Sequence, residues 1–428
     1  MHAAAIIAPK SSRPSRGDDG RTRRLISELA AFDGFGTRTQ QSCLETDEGH
    51  KIPVFINEFW TAKQRAASSL HEVSYRACFK PQLPRFFIER LTVSGEKVHD
   101  PFMGRGTTPL EAALLGRVPC GSDANPLSRM LVSPRLNPPL IPTIEDRLRK
   151  IDFSHTEGTP ETLLAFYHPE TLRQICALKR HLTTKKAQGT LDSVDQWIWM
   201  VALNRLTGHS PGFFSVYTLP PNQAVSVEAQ RRINRERNQT PPLRSVPDLI
   251  LRKSRKLQAG LCDGDVQNLR LVESLSILLT ASADETAEIQ SNSVALVVTS
   301  PPFLDVVNYE KDNWLRAWFA DVDLSDVSLW QIKNLTAWEH CMTRAMMEIH
   351  RVLKTGGWLA FEVGEVRNGS VKLESSVIKC GLEAGLSPVL ILINQQEFTK
   401  TSNCWGISNL TKGTNTNRVV LFRKDSDF

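Results

Sequence analysis

One segment constrains the fold of this chain more than any other. Val294 to Val298 reads VALVV, five apolar residues in a row, and stops on Thr299, Ser300, Pro301 and Pro302. A strand without polar alternation is buried on both faces, as in a parallel sheet covered by helices on each side. Two consecutive prolines end it, because neither can donate to a sheet ladder. The same grammar of strand, turn and helix recurs upstream. Val98, His99 and Asp100 run into a turn holding Gly104 and Gly106, followed by a helical stretch from Thr107 to Leu115. Val118 to Ser122 is a second strand, ending on Asp123. Downstream, helices are expected around Trp314 and Trp318 and from Trp338 to Leu353, the latter capped by Gly356 and Gly357. Trp358 to Val363 reads as a strand and Leu373 to Ala384 as a helix. Val389–Ile393 and Val419–Phe422 are strands with no helical pattern between them, which predicts an antiparallel pair at the sheet edge. The alternation as a whole predicts an α/β fold built on a Rossmann-like parallel sheet.

The rhythm breaks after Asn125 and Pro126, and about 125 residues pass before the next strand-like run, Lys256 to Leu261. A loop of that length inside a compact sheet is improbable, and Glu161–Leu182 and Leu191–Leu206 have helical patterns. The interval therefore reads as an inserted, mainly helical subdomain. Residues 1–24, rich in Ser, Arg, Gly and Asp, are expected to be disordered. Helical patterns follow at Leu25–Phe32, Thr61–Leu70 and Arg85–Leu91, with a turn at 79–84. The expected units are an N-terminal extension at 1–60, a first half-sheet at 61–130, the insertion at 131–255 and a second half-sheet at 256–428.

Several classes are excluded early. No stretch approaches the ~20 apolar residues of a membrane span, and the short apolar run near the N-terminus has no basic residue before it, so it is a poor export signal. The eight cysteines are scattered without a Cys-x-x-Cys pair, which argues against a zinc cluster or a disulfide framework and fits the cytoplasm. Charge is informative through its placement. Between Val227 and Gly260 nine basic residues, Arg231, Arg232 and Arg235 among them, face three acids, an excess equal to the chain's net +6. Such a stripe attracts a polyanion or forms a solvated helix face.

The chemistry-bearing residues sit where the strands stop. In the turn DPFMGRGTT (100–108), the glycines allow a tight turn and close approach to a ligand, and the next helix points its positive end there. The turn lacks the Gly-Lys-Ser/Thr of a phosphate loop and the third glycine of a dinucleotide fingerprint. Taken alone, it is equally a plain strand–helix turn. Asp123 occupies the strand end that reaches ribose hydroxyls in such folds. Asp265, placed after the run 256–261, is a candidate to meet an adenine amino group; either acid serves as readily as a helix cap. The TSPPF turn (299–303) carries the strongest statement. Its prolines remove two N–H donors, leaving the Ser300 hydroxyl and the Pro301 carbonyl as acceptors for an amino group, with Pro302 rigid behind them and Phe303 offering a face for a planar base. An amine held on acceptors has its lone pair drawn out of conjugation and aimed at a methyl donor.

Together, DPFMGRGTT, Asp123 and TSPPF resemble the motifs of amino-group DNA methyltransferases, and the Ser-Pro-Pro-aromatic form is most similar to the N4-cytosine branch. The resemblance extends to 79–84, to RVLKTGGWLAF (351–361) and to GTNTNRVVLFRK (413–424). It implies a class I S-adenosylmethionine-dependent methyltransferase sheet. The cofactor would lie against Phe79, Lys80, Asp100, Phe102, Gly104, Gly106, Thr107, Thr108, Asp123 and Asp265. Catalysis would rest on Ser300, Pro301, Pro302 and Phe303, with a base flipped out of double-stranded DNA, direct transfer and no metal. The motif order differs from the commonest arrangement, since here the cofactor motif precedes the catalytic one. No Pro-Cys stands at the catalytic strand end, so covalent attack on cytosine C5 is not expected. Adenine N6, an RNA base and a non-catalytic DNA-binding subunit are the rival readings; a cognate restriction endonuclease is a candidate partner.

Within the insertion, Asn204, Arg205 and His209 precede SPGFFSVY (210–217) and the basic stripe. Aromatics beside Arg and His suit base stacking and phosphate contact. The competing reading is a helical cap with Phe213 and Phe214 in its core.

Overall fold

The computed structural model describes residues 19–46, 49–61, 67–75, 78–154, 158–218, 224–302, 309–324, 327, 330, 332, 334–363, 373–395 and 416–425. In chain order, α1 (Asp19–Ala30) is followed by β1 (Gln40–Glu45), β2 (Lys51–Asn57) and α2 (Gln82–Leu91). Then come β3 (Lys97–Asp100), α3 (Thr107–Leu114), β4 (Val118–Asp123) and α4 (Pro126–Leu136). A helical tract follows with α5 (Ile141–Lys150), α6 (Pro169–Ala187), α7 (Ser193–Leu203), α8 (Val227–Glu236), α9 (Val246–Gln258) and α10 (Asp263–Glu273). The chain returns to the sheet with β5 (Ile277–Thr280), β6 (Val294–Thr299), α11 (Tyr309–Ala320), α12 (Leu335–Val352), β7 (Leu353–Val363), α13 (Leu373–Glu383), β8 (Ser387–Gln395) and β9 (Thr416–Arg423).

The nine strands of the described residues form one sheet in the order β1-β2-β8-β9-β7-β6-β3-β4-β5. From β5 to β7 every pairing is parallel, and β9 lies antiparallel between β7 and β8. The order reverses between β3 and β6, and ligands of open α/β sheets bind at such a switch point, beyond the carboxyl ends of the strands. The expected α/β, Rossmann-like sheet is present. Its central strand β6 is buried along its whole length, as the VALVV run requires. Leu296 and Val298 pack on one face with Phe86, Phe87 and Trp358, while Val294 and Val297 pack on the other with Trp338 and Met346. Each such side chain contributes roughly 1.5–3 kcal/mol by leaving water.

Five expectations change. The pair β8/β9 is antiparallel but is not at the edge, because β2 pairs in parallel with β8 and β1 closes that side. β1 and β2, which fall within the expected N-terminal extension, are thus strands of the main sheet. Lys256–Leu261 is not a strand; Leu249, Ile250, Lys253 and Leu257 face inward at helical spacing, and α9 runs through to Gln258. The third strand of the parallel half is β5 instead. Gly356 and Gly357 do not end a helix in a turn. They lie inside β7, where Gly356 N donates to Lys424 O at 2.7 Å and Lys424 N donates to Gly357 O at 2.9 Å. Finally, the described part of Thr61–Leu70 contributes only a short 3-10 turn at Ser69–His71. The expected disorder at 1–24 falls mostly outside the described residues, and Asp19 onward is helical.

The helical insertion shares its core with α3 and α4, the helices that follow β3 and β4. Leu110 and Leu114 of α3 and Leu127 and Leu131 of α4 pack in one cluster with Leu172, Ile175, Trp197, Phe214 and Leu257. Its position relative to β3 and β4 is therefore set by apolar contact as well as by the chain.

Candidate active site

Asp100 ends β3, and the backbone then turns through Gly104 and Gly106, with φ of +48° and +74°. Both values lie in the left-handed region that glycine adopts without penalty. A Cβ on Gly106 would sit 2.3 Å from Val132 Cγ2, so glycine is also needed for α3 to approach α4. Gly104 faces Tyr75 and Cys78, where a Cβ would lie at 3.5 and 3.6 Å from the ring and the sulfur. The turn is tied to the neighbouring strand end: Asp123 Oδ2 accepts from Gly104 N at 2.8 Å and Oδ1 accepts from Asn125 N at 2.8 Å. Burial raises the Asp123 carboxyl above its ordinary range, opposed by those backbone donors.

The second motif lies beside the first. Thr299 Oγ1 donates to Asp100 Oδ1 at 2.6 Å, Phe102 N donates to the same oxygen at 3.1 Å, and Thr108 Oγ1 donates to Val298 O at 3.0 Å. Residues 199 apart in sequence are thus hydrogen-bonded neighbours. Asp100 is fully buried, and burial pushes its carboxyl up to about 7. The Thr108 hydroxyl is also within hydrogen-bond reach of that carboxyl. Because its own proton goes to Val298 O, a proton on Asp100 completes the pair. Ser300, half-buried, follows Thr299, and Pro302 O accepts from the Trp338 indole at 3.0 Å, which pins the proline turn to α12. Phe303 lies outside the described residues.

Other expected cofactor residues ring the glycine turn. Arg105, buried, donates to His71 O, Val73 O and Phe79 O, drawing these three residues toward the turn, and its Nε donates to Thr107 Oγ1 at 3.3 Å. Burial, and then the Arg105 charge, lower the Lys80 ammonium below its ordinary range. Phe102 packs edge-on against Trp330, ring centroids 5.7 Å apart.

Asp265 is not at a strand end. It lies in the first turn of α10, ahead of β5, and its Oδ2 accepts from Cys262 N at 3.1 Å as part of a helix cap. The strand end meant for it belongs to β5, where Ala281 N donates to Asp123 O at 3.1 Å and Asp284 pairs with Arg344 at 3.0 Å. Ser282 and Asp284 therefore replace Asp265 as the polar groups past the third strand. The signal in the sequence was the short apolar run ILLT (277–280), hidden by its brevity.

The residues read as nucleic-acid contacts separate into two groups. Asn204 is a structural residue: its Oδ1 accepts from Ser74 N at 2.8 Å and its Nδ2 donates to Met200 O at 3.0 Å, inside the protein. Arg205 is nearly as buried; it donates to Asn204 O at 2.8 Å and lies 4.1 Å over the Phe213 ring. Burial first, and then Arg252 and Arg316, lower its guanidinium to about 10 despite Glu72. His209 packs beside Phe213, with rings 6.1 Å apart. Phe214 is a core residue, as the helical-cap reading holds. Arg231, Arg232 and Arg235, by contrast, lie on α8, whose outer face is largely exposed. In the α9 part of the stripe, Lys253 and Lys256 pair with Glu72, Arg255 pairs with Glu145, and Arg252 donates to Pro211 O at 3.3 Å.

Two residues that sequence reasoning missed, Glu362 and Asn417, complete the site. Glu362 of β7 is buried and accepts from Asn417 Nδ2 of β9 at 3.1 Å, with the Ser300 hydroxyl within reach of its carboxyl.

Residues 36–127 match a family model described as a DNA methylase. No curated protein matches the chain. Among solved structures, a protein described as a DNA modification methylase from Thermus thermophilus aligns at 23% identity over 34% of this chain and 51% of its own, with a TM-score of 0.21. The chain thus spans about half the length of that methylase. The geranyl diphosphate C-methyltransferase of Streptomyces coelicolor A3(2) aligns at 8% identity over 81% of this chain and 77% of its own, with a TM-score of 0.34. TrmN from Thermus thermophilus aligns at 12% over 83% and 51%, with a TM-score of 0.31. The family match takes in the glycine turn and Asp123 but stops short of the Ser-Pro-Pro turn. It also takes in β1 and β2, which pair into the main sheet.

Proposed function

We propose that this protein is an S-adenosylmethionine-dependent DNA methyltransferase that methylates an exocyclic amino group, N4 of cytosine. The observation that carries the reading is the hydrogen bond from Thr299 Oγ1 to Asp100 Oδ1, which sets the glycine turn and the Ser-Pro-Pro turn side by side at the carboxyl edge of the sheet. The family match at 36–127 supports DNA as the substrate.

The residues present fit the cofactor. The glycine turn offers backbone without side chains, and Asp123 stands beside it with lone pairs left for hydroxyl donors. When bound, S-adenosylmethionine supplies an electrophilic methyl group. The residues that would hold it are Phe79, Lys80, Asp100, Phe102, Gly104, Gly106, Thr107, Thr108 and Asp123, with Ser282 and Asp284 past β5. Ser300 Oγ and Pro301 O accept from the target amine and orient its nitrogen, and the rigid proline turn holds them there. Phe303 is assigned the base-stacking role on the strength of its motif. A base in a duplex must be extruded to reach Ser300, at a cost of a few kcal/mol. Arg231, Arg232 and Arg235 of α8 are suited to the phosphates of that duplex. Catalysis is positioning and acceptor placement. Serine at position 300 favours cytosine over adenine, by the resemblance to the N4-cytosine branch.

The test is to incubate the protein with labelled S-adenosylmethionine and duplex DNA, digest the product and identify the nucleoside. N4-methylcytosine is expected. N6-methyladenine would keep the mechanism and change the base, and label in RNA alone would change the substrate. 5-Methylcytosine, or no product, would refute the reading.

A further inference from the structure

Glu362 is a buried carboxyl with a specific place beside the candidate catalytic serine. β6 and β7 pair in parallel with Thr299 opposite Phe361, so Ser300 and Glu362 are the next neighbours along the two strand ends. Alternation puts them on the same face. Leu296 and Val298 precede Ser300 on the face that carries Trp358 and Ala360, and Glu362 continues that face on β7. Asn417 belongs to it as well, two residues before Val419 on β9. The three side chains form a row across β6, β7 and β9: the Ser300 hydroxyl lies within reach of the Glu362 carboxyl, and Asn417 Nδ2 donates to Glu362 Oε1 at 3.1 Å. The row is also anchored laterally, since Asn417 pairs in register with Asn394, whose Oδ1 accepts from Phe59 N at 2.7 Å.

Nothing in the packing of the core asks for an acid here. A buried carboxyl is costly unless it is hydrogen-bonded, and this one receives the Asn417 amide and faces the Ser300 hydroxyl, both neutral. The groups facing it are Ser300 from β6 and Asn417 from β9. Arg418, the next residue on β9, reaches Glu374 of α13 at 2.6 Å, and Asp100 of β3 is bonded to Thr299 and Phe102. Among the described residues no charged side chain is found acting on Glu362. Burial raises its carboxyl above the ordinary range, against the two donors.

We infer that Glu362 is the positioning residue of Ser300 and the acceptor of the proton released by methyl transfer. The inference rests on the proposed amine methylation. With its proton committed to Glu362, Ser300 Oγ has only lone pairs to offer, so it meets the target amine as an acceptor. As the amine nitrogen forms its bond to the methyl carbon, the carbon–sulfur bond breaks and its electron pair stays on sulfur. The nitrogen then carries one proton too many. That proton passes to Ser300 Oγ while the Ser300 proton passes to the Glu362 carboxylate. Serine ends as it began, and Glu362 ends protonated until it exchanges with solvent.

The experiment pairs infrared titration of the cofactor-free protein with single-turnover methylation across pH. In the wild type the Glu362 carboxyl band should titrate above the ordinary carboxylate range. The band should vanish in Glu362→Gln and move to higher pH in Ser300→Ala, which removes a donor to the carboxylate. The wild-type methylation rate should rise with pH through that same titration. Glu362→Gln, whose amide donates toward Ser300 and reverses the row, should be slower by ~10²–10⁴-fold, the usual span for a lost proton acceptor. Its rate should be flat with pH and its S-adenosylmethionine binding unchanged. Glu362→Asp keeps the carboxylate should the glutamine variant fail to fold, and it should retain the pH dependence at reduced rate. A Glu362→Gln rate and pH profile equal to wild type, or a carboxyl band indifferent to Ser300→Ala, overturns the inference and leaves the proposed function standing. A wild type that methylates no nucleic acid overturns both.

Discussion

Replacing Asp100 by Asn should make the cofactor-free protein more stable at alkaline pH. Asp100 is buried at the end of β3, and its carboxyl is raised from 3.8 to about 7 by burial. Between those values the unfolded chain holds Asp100 ionised while the folded chain holds it protonated. The unfolded state then binds fewer protons, so this residue's contribution to stability falls as pH rises from about 4 and levels off above about 7. At about 1.4 kcal/mol per pH unit, the rise from 3.8 to about 7 corresponds to at most about 4 kcal/mol at pH 8. Asparagine leaves this cost out. Its Oδ1 can accept from Thr299 Oγ1 and Phe102 N as the carboxyl does. Its Nδ2 can donate to Thr108 Oγ1, whose own proton goes to Val298 O. The assay is urea unfolding of wild type and Asp100→Asn at intervals from pH 4 to 8. The difference between the two curves isolates Asp100 from Asp123 and Glu362, which are shifted in the same direction. The variants should agree within about 1 kcal/mol at pH 4 and diverge in favour of Asn by roughly 2–4 kcal/mol at pH 8. Parallel curves would show that Asp100 is ionised in the fold at neutral pH and that the proton between Asp100 and Thr108 is misplaced.

Three further outcomes are expected. Ser300→Ala should leave S-adenosylmethionine binding by calorimetry unchanged and slow single-turnover methylation by the equivalent of ~2–4 kcal/mol, as loss of one preorganised group does elsewhere; full activity would remove Ser300 from the mechanism. Gly106→Ala places a Cβ 2.3 Å from Val132 Cγ2 at a φ of +74°. It should lower stability by about 2–5 kcal/mol from strain and overpacking together, and a loss under about 0.5 kcal/mol would show that α4 yields freely. Combined Arg231, Arg232 and Arg235→Ala should flatten the dependence of log DNA affinity on log salt by up to about 3, near 0.9 for each phosphate no longer neutralised; an unchanged slope would leave α8 as a solvated face.

The local elements were legible because their causes are local. Glycine at 104 and 106, the prolines at 301 and 302 and the unbroken run at 294–298 act on backbone geometry and burial within a few residues, so the strand ends bearing the site could be read in order along the chain. What the sequence could not decide were pairings between distant segments. Lys256–Leu261 and Ile277–Thr280 are both short runs, and only the space beside β4 selects the second as a strand. β2 joins β8 across more than three hundred residues, a pairing with no local signature. The same limit applied to side chains. Asn204 and Arg205 have the composition of a nucleic-acid contact, yet packing turns them inward to hold Ser74 and Gly212. Glu362 sits in an apolar strand with nothing nearby in sequence to mark it. Its meaning depends on which residue lies opposite it, and sheet register alone brings Ser300 and Asn417 to its carboxyl.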